Sequence, residues 1–186
     1  MGQSQTALPW LVTAALIIAG AMLACTDPGR AAPDMNTGSA SKLQLPRFVS
    51  LKSDRVNVRA GPTKDQAVNW VFMRAGLPVE ITAEFETWRR IRDWEGAEGW
   101  VYHSLLSGRR TGMVTAKSKD DLVPIYDRAD KTGSVLAMLQ AGVLGSVTRC
   151  QGGWCELHGE GFDGWIEQDR LWGVYPNEVY PDDKAE

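Results

Sequence analysis

Trp88-Arg89-Arg90-Ile91, followed by Gly-Trp-Val at 99–101, decides the fold of this chain because the pattern occurs twice. Trp154-Cys155-Glu156-Leu157 and then Gly-Trp-Ile at 164–166 follow in the same order, about 66 residues later. Weaker matches extend the repeat upstream, pairing Arg74-Ala75-Gly76 with residues 140–142 and 56–58 with 123–125. The sequence therefore predicts two copies of one small folding unit.

Each unit shows the two-residue alternation typical of β-strands. Val56-x-Val58 and Val79-x-Ile81 place apolar side chains on one face, with Glu80 expected to point outward. Glycines separate these short runs, as tight turns require. We therefore predict an all-β fold of two tandem small β-barrels. The predicted core is Val56, Val58, Val71, Val79, Ile81, Ile91, Trp100 and Leu106 in the first unit, and Val123, Ile125, Leu139, Val147, Leu157, Trp165 and Leu171 in the second.

Composition and patterning divide the chain into five segments. Residues 1–31 are expected to be a signal peptide or membrane anchor, and residues 32–46, rich in small and polar residues, a flexible linker. The two repeats are predicted to span 47–111 and 112–176. Residues 177–186 are expected to form a polar, frayed tail.

The apolar run from Ala7 to Ala24 predicts export. Small residues allow cleavage after Ala31, and Ala19-Gly20-Ala21 offers a second cleavage site. Two alternatives stay open: Cys25 could be acylated as a lipoprotein cysteine, or the segment could remain as an uncleaved anchor. All of these readings place the rest of the chain in the periplasm or cell envelope. Contact with the membrane would then occur only through this segment.

Cysteine usage agrees with export. Cys150 and Cys155 flank a Gly-Gly turn signal, so in a hairpin they would face each other at a distance that suits a disulfide. Cleavage after Ala31 would leave this even pair in the exported chain. An oxidising compartment would form and keep the bond.

The stretch Arg55-Val56-Asn57-Val58-Arg59-Ala60-Gly61-Pro62 resembles the opening of bacterial SH3 (SH3b-type) domains. The resemblance continues through Gly76, the Trp88 motif and the 99–101 motif, and covers about 130 of the 186 residues across both repeats. Repeat two departs at its start, where Val123-Pro124-Ile125-Tyr126-Asp127 replaces the opening string. The resemblance implies SH3-like barrels and a non-enzymatic role in binding cell-wall polymer, such as peptidoglycan, or an envelope protein.

A structural alternative stays open beside this reading. The barrels could serve as a scaffold that mediates protein–protein association without a glycan site. Asn57 to Pro62 could likewise be either a ligand-facing loop or a strand end followed by a turn, in which Gly61 permits an unusual φ and Pro62 fixes the next one.

Candidate ligand-binding residues lie mainly in repeat one. Trp94 sits in a turn-like stretch between two acidic residues, without a counterpart in repeat two, and is therefore expected to be exposed. Repeat one carries ten basic against eight acidic residues from Phe48 to Thr111. Its arginines could form a basic patch for an anionic partner or a salt-bridged surface with nearby glutamates. The candidate ligand contacts are Trp94, Arg59, Arg89, Arg90 and Arg92.

Signals of other function classes are weak. The chain has two histidines, His103 and His158, and lacks both a Gly-x-Ser-x-Gly motif and a phosphate-binding loop. A cysteine with His158 could suggest a nucleophile and base, but a disulfide explains Cys150 and Cys155 better. Metal binding by the same three residues lacks a fourth ligand. A net charge of −3 disfavours nucleic acid as a partner. No cofactor, metal or catalytic residue is predicted.

Overall fold

The computed structural model describes residues 1–2, 36–118 and 120–180. These residues form two seven-stranded antiparallel sheets and one short hairpin, which confirms the predicted all-β fold of two tandem units. The described part of the chain contains no helix of the length and apolarity needed to cross a membrane. The export segment, the cleavage sites after Ala21 and Ala31, and Cys25 fall on residues 3–35, outside the described residues, and stay predictions.

The first sheet contains β3 to β9 and follows a short hairpin of β1 (Asn36–Thr37) and β2 (Gln44–Leu45). Its strands are β3 (Arg47–Leu51), β4 (Val56–Arg59), β5 (Val68–Phe72), β6 (Pro78–Phe85), β7 (Trp88–Arg92), β8 (Glu98–Tyr102) and β9 (Leu106–Ser107). The spatial order is β5-β4-β8-β7-β6-β3-β9. A single 3₁₀ turn, His103–Leu105, follows β8.

The second sheet repeats this arrangement with β10 to β16. Its strands are β10 (Thr111–Val114), β11 (Leu122–Tyr126), β12 (Val135–Gln140), β13 (Leu144–Gln151), β14 (Trp154–Gly159), β15 (Phe162–Glu167) and β16 (Leu171–Trp172). The order β12-β11-β15-β14-β13-β10-β16 matches the first sheet strand for strand. The equivalent 3₁₀ turn is Gln168–Arg170.

Strand register aligns the two repeats residue by residue. Arg59 lies opposite Trp100 in the first sheet, and Tyr126 lies opposite Trp165 in the second. The hairpins agree in the same way, because Phe85 pairs with Trp88 and Gln151 pairs with Trp154 across a two-residue turn in each repeat. Residues can therefore be compared between repeats by their place in the sheet.

The core of each repeat contains most of the predicted aliphatic residues, although Leu106 is only partly buried, and it also includes residues that were not predicted, such as Leu51 and Val114. Two strands differ from the predicted register. Val101 and Phe72 face inward, whereas the predicted Trp100 and Val71 are only half-buried. Successive residues of a strand point to opposite faces, so the choice between Trp100 and Val101 reverses the whole strand. Trp165 is covered as predicted, yet the inward residue beside it is Ile166, and Arg149 lies over the Trp165 ring at 4.7 Å.

The chain before β3 is more ordered than a linker. The predicted linker covered residues 32–46, but residues 36–45 form the β1–β2 hairpin, which lies on the first sheet. Glu84 holds it there, because its carboxylate accepts hydrogen bonds from the Ser41 amide at 2.8 Å and the Ser41 hydroxyl at 2.6 Å. Arg47 reaches the same carboxylate at 2.7 Å. These contacts with the buried Glu84 carboxylate explain why residues 36–45, which are mostly small and polar, are ordered.

The chain after β16 is also ordered as far as Tyr180. The predicted frayed tail began at Asn177, yet Glu178 forms an ion pair with Arg110 at 2.7 Å. The amide and carbonyl of Tyr180 exchange hydrogen bonds with Cys150 at 2.8 and 3.0 Å. Residues 181–186 of the predicted tail lie outside the described residues.

The two repeats contact each other through the end of repeat two. The Trp172 indole N–H donates to the Pro78 carbonyl at 3.0 Å, and its ring meets Phe48 edge-on at 5.0 Å. The Tyr175 hydroxyl donates to Glu80 at 2.9 Å. Glu80 is therefore buried at this contact, contrary to the outward position predicted for it. Burial and then the charge of Glu80 raise the pKa of the Tyr175 phenol, which stays a neutral donor.

Candidate ligand-binding site

Strand β4 presents a polar row on the outer face of repeat one. Val56 and Val58 are fully buried, so strand alternation turns Asn57 and Arg59 outward. Arg55 lies just before the strand, two residues ahead of Asn57 and therefore on the same side, and it is exposed. The opening string of repeat one therefore contributes two guanidinium groups and an amide to one surface.

The loop after β4 is held by Arg59. Its Nη1 donates to the Gln66 carbonyl at 2.6 Å, and the Ala60 amide donates to the Ala67 carbonyl at 3.0 Å. Gly61 does not have a positive φ, so the unusual φ expected for it is wrong. Space around it is limited, since a Cβ there would lie 3.0 Å from the exposed Gln66 side chain. This closed loop places Lys64 beside Arg59.

Two aromatic rings form the floor next to this row. Trp88 and Tyr102 are directly opposite on β7 and β8, and their rings meet edge-on with centroids 5.5 Å apart. Trp88 is almost fully covered. Tyr102 is half-buried. The rings supply a fixed apolar surface at the base of the cationic row.

Together these groups line a hollow of about 480 Å³ on repeat one. Among the described residues that line it there are three cations and no carboxylate. Neither Arg55 nor Lys64 has an ion-pair partner in residues 36–118 and 120–180. Uncompensated cations beside a partly apolar wall attract an anion from water. We call this hollow the β4 pocket, after the strand that supplies its cations; its main lining residues are Arg55, Asn57, Arg59, Lys64, Trp88 and Tyr102.

Repeat two does not reproduce the β4 pocket. By sheet register, Leu122, Pro124 and Tyr126 take the positions of Arg55, Asn57 and Arg59. Glu167 lies opposite Trp154, where Tyr102 lies opposite Trp88. The corresponding hollow is smaller, about 260 Å³, and its charged lining residues are of both signs: Asp121 and Glu167 beside Lys117 and Arg170. The same strand positions therefore present cations in one repeat and apolar or acidic groups in the other.

The predicted arginine cluster is not one basic patch. Arg89 is only 8% exposed and contacts Glu84 at 3.3 Å from inside the barrel. Arg90 forms an ion pair with Glu98, and Arg92 with Glu80. The structure thus shows the salt-bridged surface that was the alternative reading of these arginines. Of the four candidate arginines, only Arg59 lies in the β4 pocket.

Trp94 is exposed, as predicted, with 38% of its surface accessible. Asp93 accepts hydrogen bonds from the amides of Glu95 and Ala97 and holds the turn that carries Trp94. The indole ring lies 6.0 Å from the Phe72 ring. This turn is at one end of the β7–β8 hairpin, and the Trp88–Tyr102 pair of the β4 pocket is at the other. The structure therefore does not bring Trp94 and Arg59 together.

A larger groove of about 600 Å³ lies where the two repeats meet, beside Trp172 and Tyr175. Its charged lining residues are already paired: Arg92 with Glu80, Glu167 with Lys131, and Asp169 with Arg170. The groove therefore offers little free charge for a ligand. For this reason we assign the candidate site to the β4 pocket.

The predicted disulfide is present in repeat two. Cys150 and Cys155 are cross-strand partners on β13 and β14 with a Cα–Cα distance of 4.1 Å and bonded sulfurs. Gly152 and Gly153 both have positive φ, as the two-residue turn between these strands requires. This bond removes both cysteines as metal ligands. Glu156, His158 and Asp163 do lie close enough to share an ion, but these groups already have partners. His158 Nδ1 is 2.9 Å from the Asp163 carboxylate, and the Thr148 hydroxyl contacts both His158 and Glu156, at 3.1 and 3.0 Å.

Sequence reasoning identified Arg59 but missed Arg55, Lys64 and Tyr102. The signal for Arg55 was present, since Arg55, Asn57 and Arg59 alternate with two valines that had been placed in the core. Lys64 had no such signal, because its position depends on how the 60–67 loop closes. Tyr102 needed the correct register of β8, which the prediction of a buried Trp100 had reversed.

Comparison with known families agrees with this architecture. The sequence profile of the bacterial SH3 domain matches residues 52–108 and 119–173. The chain belongs to the bacterial SH3 domain family. Such domains are typically binding modules, and they occur in extracellular or envelope proteins. No sequence of a curated protein matches this bacterial SH3 chain at a significant level.

Similar solved structures include two proteins from Trichomonas vaginalis. NlpC1 is 16% identical with a TM-score of 0.32, covering 73% of this chain and 48% of that protein. NlpC2 is 14% identical with the same TM-score, covering 70% and 49%. This tandem bacterial SH3 chain therefore spans about half the length of the structures it resembles.

Proposed function

We propose that this protein is a non-enzymatic binding module of the bacterial cell envelope that recognises peptidoglycan through repeat one. The observation that carries this proposal is the β4 pocket, whose unpaired cations lie beside fixed aromatic rings. Family membership supports a binding role, and repeat two lacks the same cations. Export, through residues 1–31, is part of the proposal.

Sedimentation with purified sacculi tests this function. The chain, expressed without residues 1–31, should pellet with sacculi and remain in the supernatant with an uncharged polysaccharide such as cellulose. The sacculi should release no soluble fragments during the incubation, since the proposal assigns no hydrolysis. Equal pelleting with cellulose, or none with sacculi, would count against peptidoglycan as the ligand.

Trp94 is proposed as a second, separate contact for a partner. Its exposed ring at the end of the β7–β8 hairpin suits a protein surface better than the β4 pocket does. Trp94→Ala should therefore leave binding to sacculi unchanged and weaken capture of an envelope protein by about 5- to 100-fold. The comparison is made on the full chain, because Phe48 and Trp172 would be uncovered in isolated repeats.

One observation favours the alternative scaffolding function. Among the described strands, the edge strand β12 pairs with β11 alone and exposes Val135, Leu136 and Met138, and Leu122 on β11 is also exposed. Unpaired sheet edges with apolar side chains promote association with another protein. If the chain is a scaffold, Leu136→Lys should reduce its association with a partner or with itself in sedimentation equilibrium. Met73→Lys is the control, since Met73 is exposed on repeat one.

A further inference from the structure

The β4 pocket differs from an ordinary charged surface in how its cations are placed. Several surface arginines in this protein form an ion pair with a glutamate, as Arg90 does with Glu98 and Arg92 with Glu80. Arg55 and Lys64 have no such partner in the part of the chain that the structure describes. Three cations around one hollow repel one another, so an anion that binds between them relieves this repulsion.

The positioning of Arg59 indicates which kind of anion fits. One of its terminal nitrogens donates to the Gln66 carbonyl at 2.6 Å, which restrains the position of the guanidinium. The remaining N–H groups of the guanidinium match the two oxygens of a carboxylate or phosphate group. Asn57 adds an amide that can donate to the same oxygens or accept from a neighbouring N–H.

The size and floor of the pocket indicate that the anion is part of a larger molecule. A hollow of about 480 Å³ far exceeds one carboxylate or phosphate group. The Trp88–Tyr102 floor offers apolar contact to whatever carries the charge. Such a mixed surface fits a polymer segment in which an oxyanion is attached to an aliphatic or ring-containing unit.

We infer that the β4 pocket binds a carboxylate or phosphate group carried by the wall polymer, with Arg55, Arg59 and Lys64 as its ligands. This inference rests on the proposed function for the identity of the polymer, and on the geometry of the pocket for the chemistry of the bound group. Repeat two would not bind the same group, because Leu122, Pro124 and Tyr126 replace the polar row.

Sacculi with altered chemistry distinguish the two sources of anion. Carbodiimide amidation with ammonia removes carboxylate charge, and hydrofluoric acid removes phosphodiester polymers. If stem-peptide carboxylates are the ligand, amidation should lower binding by about 10- to 100-fold and acid treatment should not. If phosphate is the ligand, the reverse is expected. Full binding to sacculi treated in both ways would overturn the inference.

Variants of the full chain test the residues. Arg55→Gln/Lys64→Gln should reduce binding to native sacculi by at least about tenfold. The matched control is Lys52→Gln/Lys117→Gln, which removes the same charge from two exposed lysines outside the β4 pocket. Because both variants have the same net charge, equal loss in the two would overturn a specific site. Melting temperatures of the variants should match the wild type, which separates binding from folding.

A titration with small anions keeps this inference independent of the proposed function. Inorganic phosphate and N-acetylalanine, followed by two-dimensional NMR, should shift the Arg59 side-chain N–H and the Trp88 indole signals of the wild type. The Trp165 indole of repeat two should not shift. Shifts at the β4 pocket without any binding to sacculi would refute peptidoglycan as the polymer but retain the anion site. Absence of shifts at saturating anion would overturn the site itself.

Discussion

Glu84 and Arg89 form, in repeat one, the cross-strand pair whose place in repeat two is taken by the Cys150–Cys155 disulfide. In each hairpin this pair is the one next to the residues that flank the two-residue turn. The Glu84 carboxylate is 3.3 Å from Arg89 Nε, and its side chain has no solvent exposure. One fold thus links the same two strands by an ion pair in one copy and by a covalent bond in the other.

The same position also receives a segment from outside the sheet in both repeats. Glu84 binds the β1–β2 hairpin through Ser41, and Cys150 pairs its backbone with Tyr180. In each repeat, a cross-strand link therefore lies beside a segment that comes from outside the sheet. The two links should respond to different conditions, since protonation of Glu84 breaks the Glu84–Arg89 ion pair and reduction breaks the Cys150–Cys155 disulfide.

Acid should destabilise repeat one before repeat two. Burial opposes ionisation of Glu84, but hydrogen bonds from Ser41, Arg47 and Ala40 outweigh it and lower the pKa from 4.5 to about 2. A carboxyl group with a lowered pKa stabilises the fold fully above its unfolded pKa, and this contribution is lost as pH falls from about 4.5 to about 2. Methyl NMR signals of Ile91 and Leu157 during an acid titration report the two cores separately. Simultaneous loss of both signals would contradict this role of Glu84.

Glu84→Gln should remove that acid sensitivity and lower stability at neutral pH. It leaves Arg47 and Arg89 without their shared carboxylate, and breaking a buried ion pair costs about 3 kcal/mol or more. Urea unfolding at pH 7 measures the loss. Glu98→Gln serves as the control, since its pair with Arg90 is largely solvent-exposed and should contribute less than about 1 kcal/mol.

Loss of the disulfide should weaken repeat two selectively. The bond closes a short loop, with a sequence separation of 5, for which chain entropy predicts about 2 kcal/mol. Cys150→Ala/Cys155→Ala should lower the Leu157 core transition and leave the Ile91 transition in place. A non-reduced digest of the wild type should contain the linked peptide. Two freely alkylated thiols under oxidising conditions would be inconsistent with the structure.

The register of β8 can be tested with a pair of neighbouring substitutions. Val101→Asp places a charge in the core of repeat one and should prevent its folding, because Val101 is fully buried. Trp100→Asp should be tolerated far better, since the Trp100 side chain is on the outer, half-buried face. Circular dichroism and the Ile91 methyl signal distinguish the outcomes. Greater damage from Trp100→Asp would indicate that the strand is reversed.

Contact between the repeats should stabilise both of them. Trp172 contributes both the hydrogen bond to Pro78 and the edge contact with Phe48. Trp172→Ala should lower the thermal midpoints of both the Ile91 and the Leu157 methyl signals, because each repeat loses packing at the contact. Trp94→Ala, which changes a tryptophan away from Trp172, should leave both midpoints nearly unchanged. Unchanged midpoints in Trp172→Ala would contradict a stabilising contact.

Most of the fold was predictable from local pattern. The recurrence of the Trp88 motif at Trp154 predicted two equal units, and alternating valines predicted strands whose inward faces are largely as expected. The Gly-Gly turn was sufficient to pair Cys150 with Cys155, because a two-residue turn sets the register of its hairpin. The main error in the predicted core was Trp100. Trp100 and the adjacent Val101 are both apolar, so the pattern does not show which of them faces inward, and the register of the strand decides it.

The site was less predictable, because a charge by itself does not show whether it has a partner. Arg89, Arg90 and Arg92 are prominent in the sequence, yet each meets a glutamate that is 5 to 12 residues away along the chain and adjacent in the sheet. Arg55 and Lys64 are less conspicuous, and neither has an ion-pair partner among the described residues.

The sequence by itself determined that this protein is a tandem all-β chain with a disulfide hairpin. Strand alternation and turn chemistry depend on only a few neighbouring residues, and the recurrence of the motif is visible in the sequence directly. Only the tertiary structure decided which cations are free, how Glu80 and Glu84 are buried, and where the chain ends pack. These properties depend on contacts between residues that are distant in sequence, such as Tyr175 with Glu80 and Ser41 with Glu84. No local pattern specifies such contacts, because they arise when strands close into a barrel and one barrel meets the other.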